Sequence, residues 1–195
     1  MPAKFDQIDD ATPLTPDTLS GLRLASVLTQ ADLNAAEEAN ILKAVSWTQR
    51  RRRTPLLDRS FVLGLHRRMF DDVWTWAGKW RKRETNIGVL PNTIPVRVEA
   101  LLQDAGYWID HEVFGIDELA VRFHHQLVLI HPFVNGNGRH SRMMADLLIE
   151  QLGGRPFSWG SRNLVDPTAT RRSYIGALKA ADAGDIVPLL AFARS

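Results

Sequence analysis

Apolar residues recur at three- and four-residue intervals in one segment after another of this chain, each bounded by a capping side chain, a proline or a glycine, and that period confines it to a helical architecture. Thr29 caps a helix with Asp32 three residues on, and Leu33, Ile41, Ala44, Val45 and Thr48 give it an apolar face to about Arg50. Asp58 opens a second, with Phe61, Leu65 and Met69 at spacing four and His66 beside them. Helical spacing resumes from about Arg97 to Asp110, and again from Asp117 through Leu119, Phe123, Leu127 and Ile130 to His131-Pro132. Met143, Met144, Leu147 and Leu148 mark a further helix that stops at Gly153-Gly154. Asp166-Pro167 starts one that runs to about Ala181, and a short last helix follows Asp185. The predicted class is all-α. Its one exception is Ile87 to Val98, where Gly88, Pro91, Asn92 and Pro95 among Ile87, Val89, Ile94 and Val96 predict a short extended or hairpin segment. No repeat or long linker divides the chain, which reads as an amino-terminal extension, 1–28, and a single domain, 29–195.

Composition excludes several classes. With 195 residues, 45% hydrophobic and 24% charged, the chain can bury a core. Its longest aliphatic run, Leu127 to Ile130, is far shorter than the roughly 20 residues of a membrane span. The opening MPAKFDQIDD turns acidic where an export signal needs apolar residues, which predicts a cytoplasmic protein without membrane contact. The absence of cysteine rules out disulfides, thiolate nucleophiles and thiolate metal sites. Residues 1–49 hold three Lys/Arg against seven Asp/Glu, and residues 50–97 hold twelve against four. Such a basic middle attracts phosphate-bearing ligands or an acidic protein surface. Arg50 to Arg53, however, suit the negative end of a helix dipole, so nucleic acid is not the expected partner.

The passage that core packing does not explain is His131 to Arg142, HPFVNGNGRHSR, between the end of one helix and the start of the next. Gly136 and Gly138 allow successive backbone N–H groups to converge on an anion at the following helix's positive end. Arg139 and Arg142, three apart on its first turn, supply charge-assisted hydrogen bonds to phosphate oxygens, and Asn137 offers an amide donor. His131 at the loop entrance can accept a proton from an attacking hydroxyl at cellular pH. The NGNG repeat also suits an ordinary tight turn, and the spacing is not that of a Walker A loop.

This stretch resembles the signature of Fic-domain proteins, H-x-F-x-[DE]-[GA]-N-[GK]-R-x-x-R. His131, Phe133, Gly136, Asn137, Gly138, Arg139 and Arg142 match it, and Asn135 stands where the family has an acid. FHHQLVLIHPF before it, LHRRMFDDVWTWAGKWR at 65–81 followed by Asn86-Ile87, and ALKAADAGDIVPLLAF at 177–192 are similar as well. The amino-terminal stretch and overall length resemble the subgroup called mobile mystery protein B. The resemblance implies a Fic-like helical bundle with one β-hairpin flap. It also implies transfer of AMP from ATP to a Ser, Thr or Tyr hydroxyl of a target protein. His131 would be the base, and Gly136, Asn137, Gly138, Arg139 and Arg142 would hold the nucleotide. Phe133 would anchor the loop, and Ile87, Gly88, Val89 and Leu90 would form the flap that docks the target. Phosphotransfer, transfer of another nucleotide, or a weakened nucleotide-binding module with a small antitoxin-like partner are the alternative readings.

In the family the acid at position 135 binds the Mg²⁺ of the nucleotide, so Asn135 predicts weaker Mg²⁺ affinity, with Mn²⁺ the alternative ion. Asp146 is the nearest substitute and reads more simply as a solvated helical residue. Many relatives are silenced by a helix bearing [ST]-x-x-x-E-[GN]. Asn34 to Ala39 is a loose relative of it, which makes Glu37 or Glu38 an expected brake on Arg142. His66, His111 and His140 receive no role, and His124, His125 and His131 lack the spacing of a zinc site. Trp74, Trp76 and Trp80 are expected in the core.

Overall fold

Two reciprocal hydrogen bonds start the first long helix. In the computed structural model, which describes residues 14–50, 55–161 and 167–195, the Asp32 amide donates to Thr29 Oγ1 (3.1 Å) and the Thr29 amide to Asp32 Oδ2 (2.8 Å). Arg51 to Arg53, Asp166 and the first thirteen residues lie outside the described residues. The elements are α1 (Pro16–Leu19), α2 (Gln30–Arg50), α3 (Arg59–Phe70), a 3₁₀ turn (Pro91–Thr93), α4 (Ile94–Asp110), α5 (Ile116–Ile130), α6 (Asn137–Gln151), α7 (Pro167–Asp182) and α8 (Val187–Arg194). Asp58 caps α3 as expected, accepting from the amides of Ser60 (2.7 Å) and Phe61 (3.3 Å).

The all-α class stands, and the hairpin within it does not form. Residues 85–90 are irregular, and residues 91–110 are already helical. Pro95 falls in the first turn of α4, where its missing N–H has no intrahelical partner to lose. Ile94, Val98, Leu101, Leu102 and Ala105 then bury at three- and four-residue spacing, while Val96, which a strand would place on the same face as Ile94 and Val98, is exposed. The one bridge of β type among the described residues joins Leu22 to Trp74. Around it the Arg23 amide donates to Val73 O (2.8 Å) and the Thr75 amide to Gly21 O (2.8 Å). Leu14, Leu19, Leu22 and Leu24 pack on the main core, so residues 14–28 lie against the domain.

Two apolar clusters are separated by α5 and α6. On one side Val62, Leu65, Met69 and Phe70 of α3 meet Ile94 and Val98 of α4, Phe123 and Leu127 of α5, and Met144 and Leu148 of α6. On the other side Val121, Ala145 and Ile149 meet Leu178 and Ala181 of α7 and Leu189 of α8. Packing on both faces fixes the end of α5 and the start of α6, the two points between which residues 131–136 are strung. Trp74 is fully buried, and Trp76 stacks on it with ring centroids 4.9 Å apart.

Candidate active site

His131 is the residue at which α5 stops. Its backbone is left-handed (φ 52°, ψ 59°) while its amide still donates to Leu127 O (3.2 Å), so the chain turns sharply out of the helix. The side chain is only 5% exposed. Burial, with the Arg81 guanidinium nearby, pushes its pKa down to about 4. The imidazole is therefore neutral at cellular pH and able to take a proton.

From here the loop folds onto its own side chains. Phe133 is fully buried and stacks on the His66 ring with centroids 3.6 Å apart. The expected role of Asn137 as an amide donor to phosphate is corrected. Its Nδ2 donates to Phe133 O and its Oδ1 accepts from the Phe133 amide, both at 2.9 Å. One N–H of that group is left over, but the residue is only 2% exposed and its side chain braces the five-residue turn Phe133–Asn137 from within rather than facing a ligand. His66 was assigned no role, yet it is fully buried and joins two strands of chain to this loop. The Gly78 amide donates to its Nδ1 (2.9 Å), and its Nε2 donates to Asn135 O (3.0 Å). Burial, reinforced by His140, holds its pKa well below the usual histidine value, so the ring is neutral with its proton on Nε2. The sequence signal was present: a histidine beside the apolar stripe of α3.

Gly136 is required on two counts. Its φ is 78°, and a Cβ there would sit 2.5 Å from the Phe70 ring. The first intrahelical bond of α6 runs from the His140 amide to Gly136 O (2.9 Å), so the amides of Asn137, Gly138 and Arg139 precede the hydrogen-bonded ladder and form its positive end. A Cβ on Gly138 would lie 3.6 Å from the Tyr174 hydroxyl, which places α7 on the other flank of that end.

The two arginines differ. Arg139 Nη1 donates to Glu37 Oε2 (2.7 Å), and its guanidinium lies over the Phe70 ring, 4.9 Å from the centroid. Glu37 is 5% exposed, and its other oxygen accepts from Trp74 Nε1 (2.7 Å). Arg142 lies over the Tyr174 ring (5.3 Å), and burial lowers its pKa. Among the described residues no carboxylate lies within ion-pair distance of it. The expected brake on Arg142 is thus corrected: Glu37 reaches Arg139, while Glu38 points from the exposed face of α2. Asn40, one turn further along α2, bonds Arg68 O (3.0 Å) and the Asp72 amide (2.9 Å) and fixes the helix that carries Glu37.

Asn135 and Asp146 are both engaged. Asn135 Oδ1 accepts from the Gly136 amide (2.5 Å). Asp146 is partly buried rather than solvated, and it accepts from the Phe157 amide (3.0 Å) and Trp159 Nε1 (3.0 Å). Burial pushes its pKa up to about 6. Among the described residues no cluster of three His, Asp or Glu could hold a metal ion. A single uncharged amide oxygen that already accepts one hydrogen bond is a weak ligand for a hard cation.

The segment ahead of α4 lies directly on His131. Gly88 has φ 105°, and a Cβ there would meet His131 Cβ at 2.6 Å. The Val89 amide donates to Ile130 O (3.3 Å), while Ile87 and Leu90 are about half exposed.

The sequence model of the Fic/DOC family matches residues 56–149, which span α3, the 87–90 segment, the whole glycine loop and most of α6. Residues 56–149 form a domain of the Fic/DOC family. A relative named protein adenylyltransferase fic-1, from Caenorhabditis briggsae, is 31% identical over 135 residues, covering 67% of this chain and 25% of that protein. The chain spans about a quarter of the length of the curated relatives it matches. The structure of Fic-1 from C. elegans superposes with a TM-score of 0.62 at 25% identity, over 88% of this chain and 50% of that one. The N-terminal Fic domain of a Bartonella effector protein shares the fold, with a TM-score of 0.70 at 15% identity over 92% and 91% of the two chains. In this Fic domain the helical bundle is as expected, and the 87–90 segment packs against His131 at the entrance of the glycine loop.

Proposed function

We propose that the chain transfers AMP from ATP to a Ser, Thr or Tyr hydroxyl of a target protein in the cytoplasm. The observation that supports this reading is a neutral, buried imidazole at the entrance of a glycine loop that leads into a helix whose first amides precede its hydrogen-bonded ladder and whose first two turns carry Arg139 and Arg142. The N–H groups of Asn137, Gly138 and Arg139, together with Arg139 and Arg142, hold the triphosphate, which brings its own Mg²⁺ or Mn²⁺ as part of the substrate. The target strand lies along residues 87–90 and presents its hydroxyl to His131. The hydroxyl oxygen bonds to the α-phosphorus as its proton passes to the imidazole. The bond from that phosphorus to the bridging oxygen breaks, and pyrophosphate leaves against the arginines. The relatives' name, adenylyltransferase, supports the same reading.

Glu37 is the brake of this scheme. While its carboxylate holds Arg139, one of the two guanidinium groups is withdrawn from the phosphates. Glu38, exposed on α2, has no part in it.

Asn135 favours a second reading, a nucleotide-binding module of weakened transfer activity partnered by a small antitoxin-like protein. Incubation with ATP labelled at the α or γ phosphate, with Mg²⁺ or Mn²⁺, separates the two. Label from the α position on the protein itself or on lysate proteins, lost in His131→Ala, is the expected result. Transfer of γ label indicates phosphotransfer. Silence from the wild type with activity in Asn135→Asp indicates the weakened module.

A further inference from the structure

Arg81 is a charged residue with 3% exposure and, among the described residues, no carboxylate within ion-pair distance. A buried guanidinium is tolerated only when its donors are satisfied. Here three of its five side-chain N–H donors reach backbone carbonyls. Nε donates to His131 O (2.7 Å), Nη1 to Arg83 O (2.8 Å) and Nη2 to Val89 O. The residue's own amide donates to Pro132 O (2.9 Å).

These partners belong to two pieces of chain that must keep a set distance. His131 and Pro132 carry the base, and Val89 sits in the segment that docks the target. Between them only one backbone bond is direct, from the Val89 amide to Ile130 O, and at 3.3 Å it is long. The guanidinium takes the place that a neighbouring β-strand would fill, offering donors in a rigid planar fork to carbonyls on either side. Gly88 leaves room for it, since a Cβ there would lie 2.7 Å from Arg81 Nη2.

We infer that Arg81 is the positioning residue that fixes the height of the 87–90 segment above His131, and with it the reach of an acceptor hydroxyl to the base. The inference rests on the reading of that segment as the target dock. Lysine, with one ammonium on a flexible stem, keeps the charge and cannot serve three divergent carbonyls.

Two measurements on the full chain test it. Amide hydrogen exchange is followed in the wild type, Arg81→Lys and Gly88→Ala, the last of which displaces the segment with Arg81 intact. The expected result is exchange at Val89 at least tenfold faster in both variants, with the amides of α5 and α6 unchanged and the affinity for ATP within twofold. Exchange at Val89 that stays at the wild-type rate in Arg81→Lys, or that rises equally throughout α5 and α6, overturns the inference. The second measurement follows α-labelled ATP, whose AMP goes either to protein or to water. A water molecule needs no dock, so the ratio of free AMP to protein-bound AMP is expected to rise at least tenfold in Arg81→Lys. An unchanged ratio in an active variant also overturns it. A wild type that transfers no label counts against the AMP-transfer reading alone, and the exchange result then decides the role of Arg81.

Discussion

The glycine loop and the 87–90 segment face each other across His131 and are held in opposite ways. The loop is closed from inside by buried contacts: two hydrogen bonds between Asn137 and Phe133, the His66 hydrogen bond to Asn135 O, the Phe133–His66 stack and the close approach of Gly136 to Phe70. The segment opposite is held by a long backbone bond, one arginine and the packing of Val89 on the main core. A phosphate cradle must be preorganised, because its stabilisation of developing charge depends on donors that do not move. A dock for polypeptide backbone gains from adjustment, since it meets strands of varied sequence. Under the proposed function, a rigid half of the domain would handle the nucleotide and a compliant half the target.

Substitutions should divide along that line. The largest effect is expected from His131→Ala, which leaves both halves in place and removes the base. Transfer should fall by about 10²- to 10⁴-fold with ATP affinity unchanged, as measured by label incorporation and calorimetry. Breaking the rigid half comes next. Asn137→Ala strands the buried Phe133 amide and carbonyl and should cost about 1–3 kcal/mol of stability in chemical denaturation, with loss of ATP binding. A variant that binds ATP normally would show that the loop does not need its internal amide.

Glu37→Gln sharpens the comparison from the nucleotide side. It keeps a hydrogen-bond acceptor for Trp74 Nε1 and removes the charge that holds Arg139. ATP affinity should rise about tenfold, the equivalent of roughly 1.4 kcal/mol, and Glu38→Gln should change nothing. Equal affinities in wild type and Glu37→Gln would remove the brake. The smallest effect belongs to the compliant half. Ile87→Ser, at a half-exposed position, should lower labelling of protein acceptors severalfold without moving the melting temperature or the ATP affinity.

Acidity bears mainly on the rigid half and its surroundings. His124 and His140 are pushed down to about 3 and His131 to about 4, and His66 also lies well below its usual value, chiefly through burial. Between pH 6.5 and those values the unfolded chain binds more protons than the native one, so stability falls as pH drops below about 6.5. Asp146, raised to about 6, acts the other way between its ordinary 3.8 and that value, one group against four. Thermal midpoints at pH 7.5 and 5.5 should therefore differ, with the acidic sample less stable. Equal midpoints would mean that these rings are accessible to protons.

The helical order was legible because caps and apolar spacing act locally: Thr29 with Asp32, and Asp58 with Ser60, behave in the structure as they read in the sequence. The start of α4 was misread because Pro95 is equally at home in a turn and in a helix's first turn. The burial of Ile94 and Val98 decided between them, and burial is a tertiary property. Of the site, the glycine loop and its arginines were legible as a motif, while the partner of each side chain was not. Asn137 looks like a ligand-facing amide until Phe133 folds back over it. Arg81 is hidden in a basic run, and only the approach of Val89 and His131 from distant parts of the chain distinguishes it from Lys79 and Lys82. Glu37 and Glu38 are adjacent, and which of them meets an arginine depends on the rotation of α2, fixed by Asn40 against α3.

The most direct test of the account is a crystal structure of the Glu37→Gln variant with a non-hydrolysable ATP analogue. The β and γ phosphates should lie on the amides of Gly138 and Arg139 and between the two guanidinium groups, with the α-phosphate facing the His131 imidazole. A triphosphate bound away from the amino end of α6, or one presenting its γ-phosphate to His131, would contradict it.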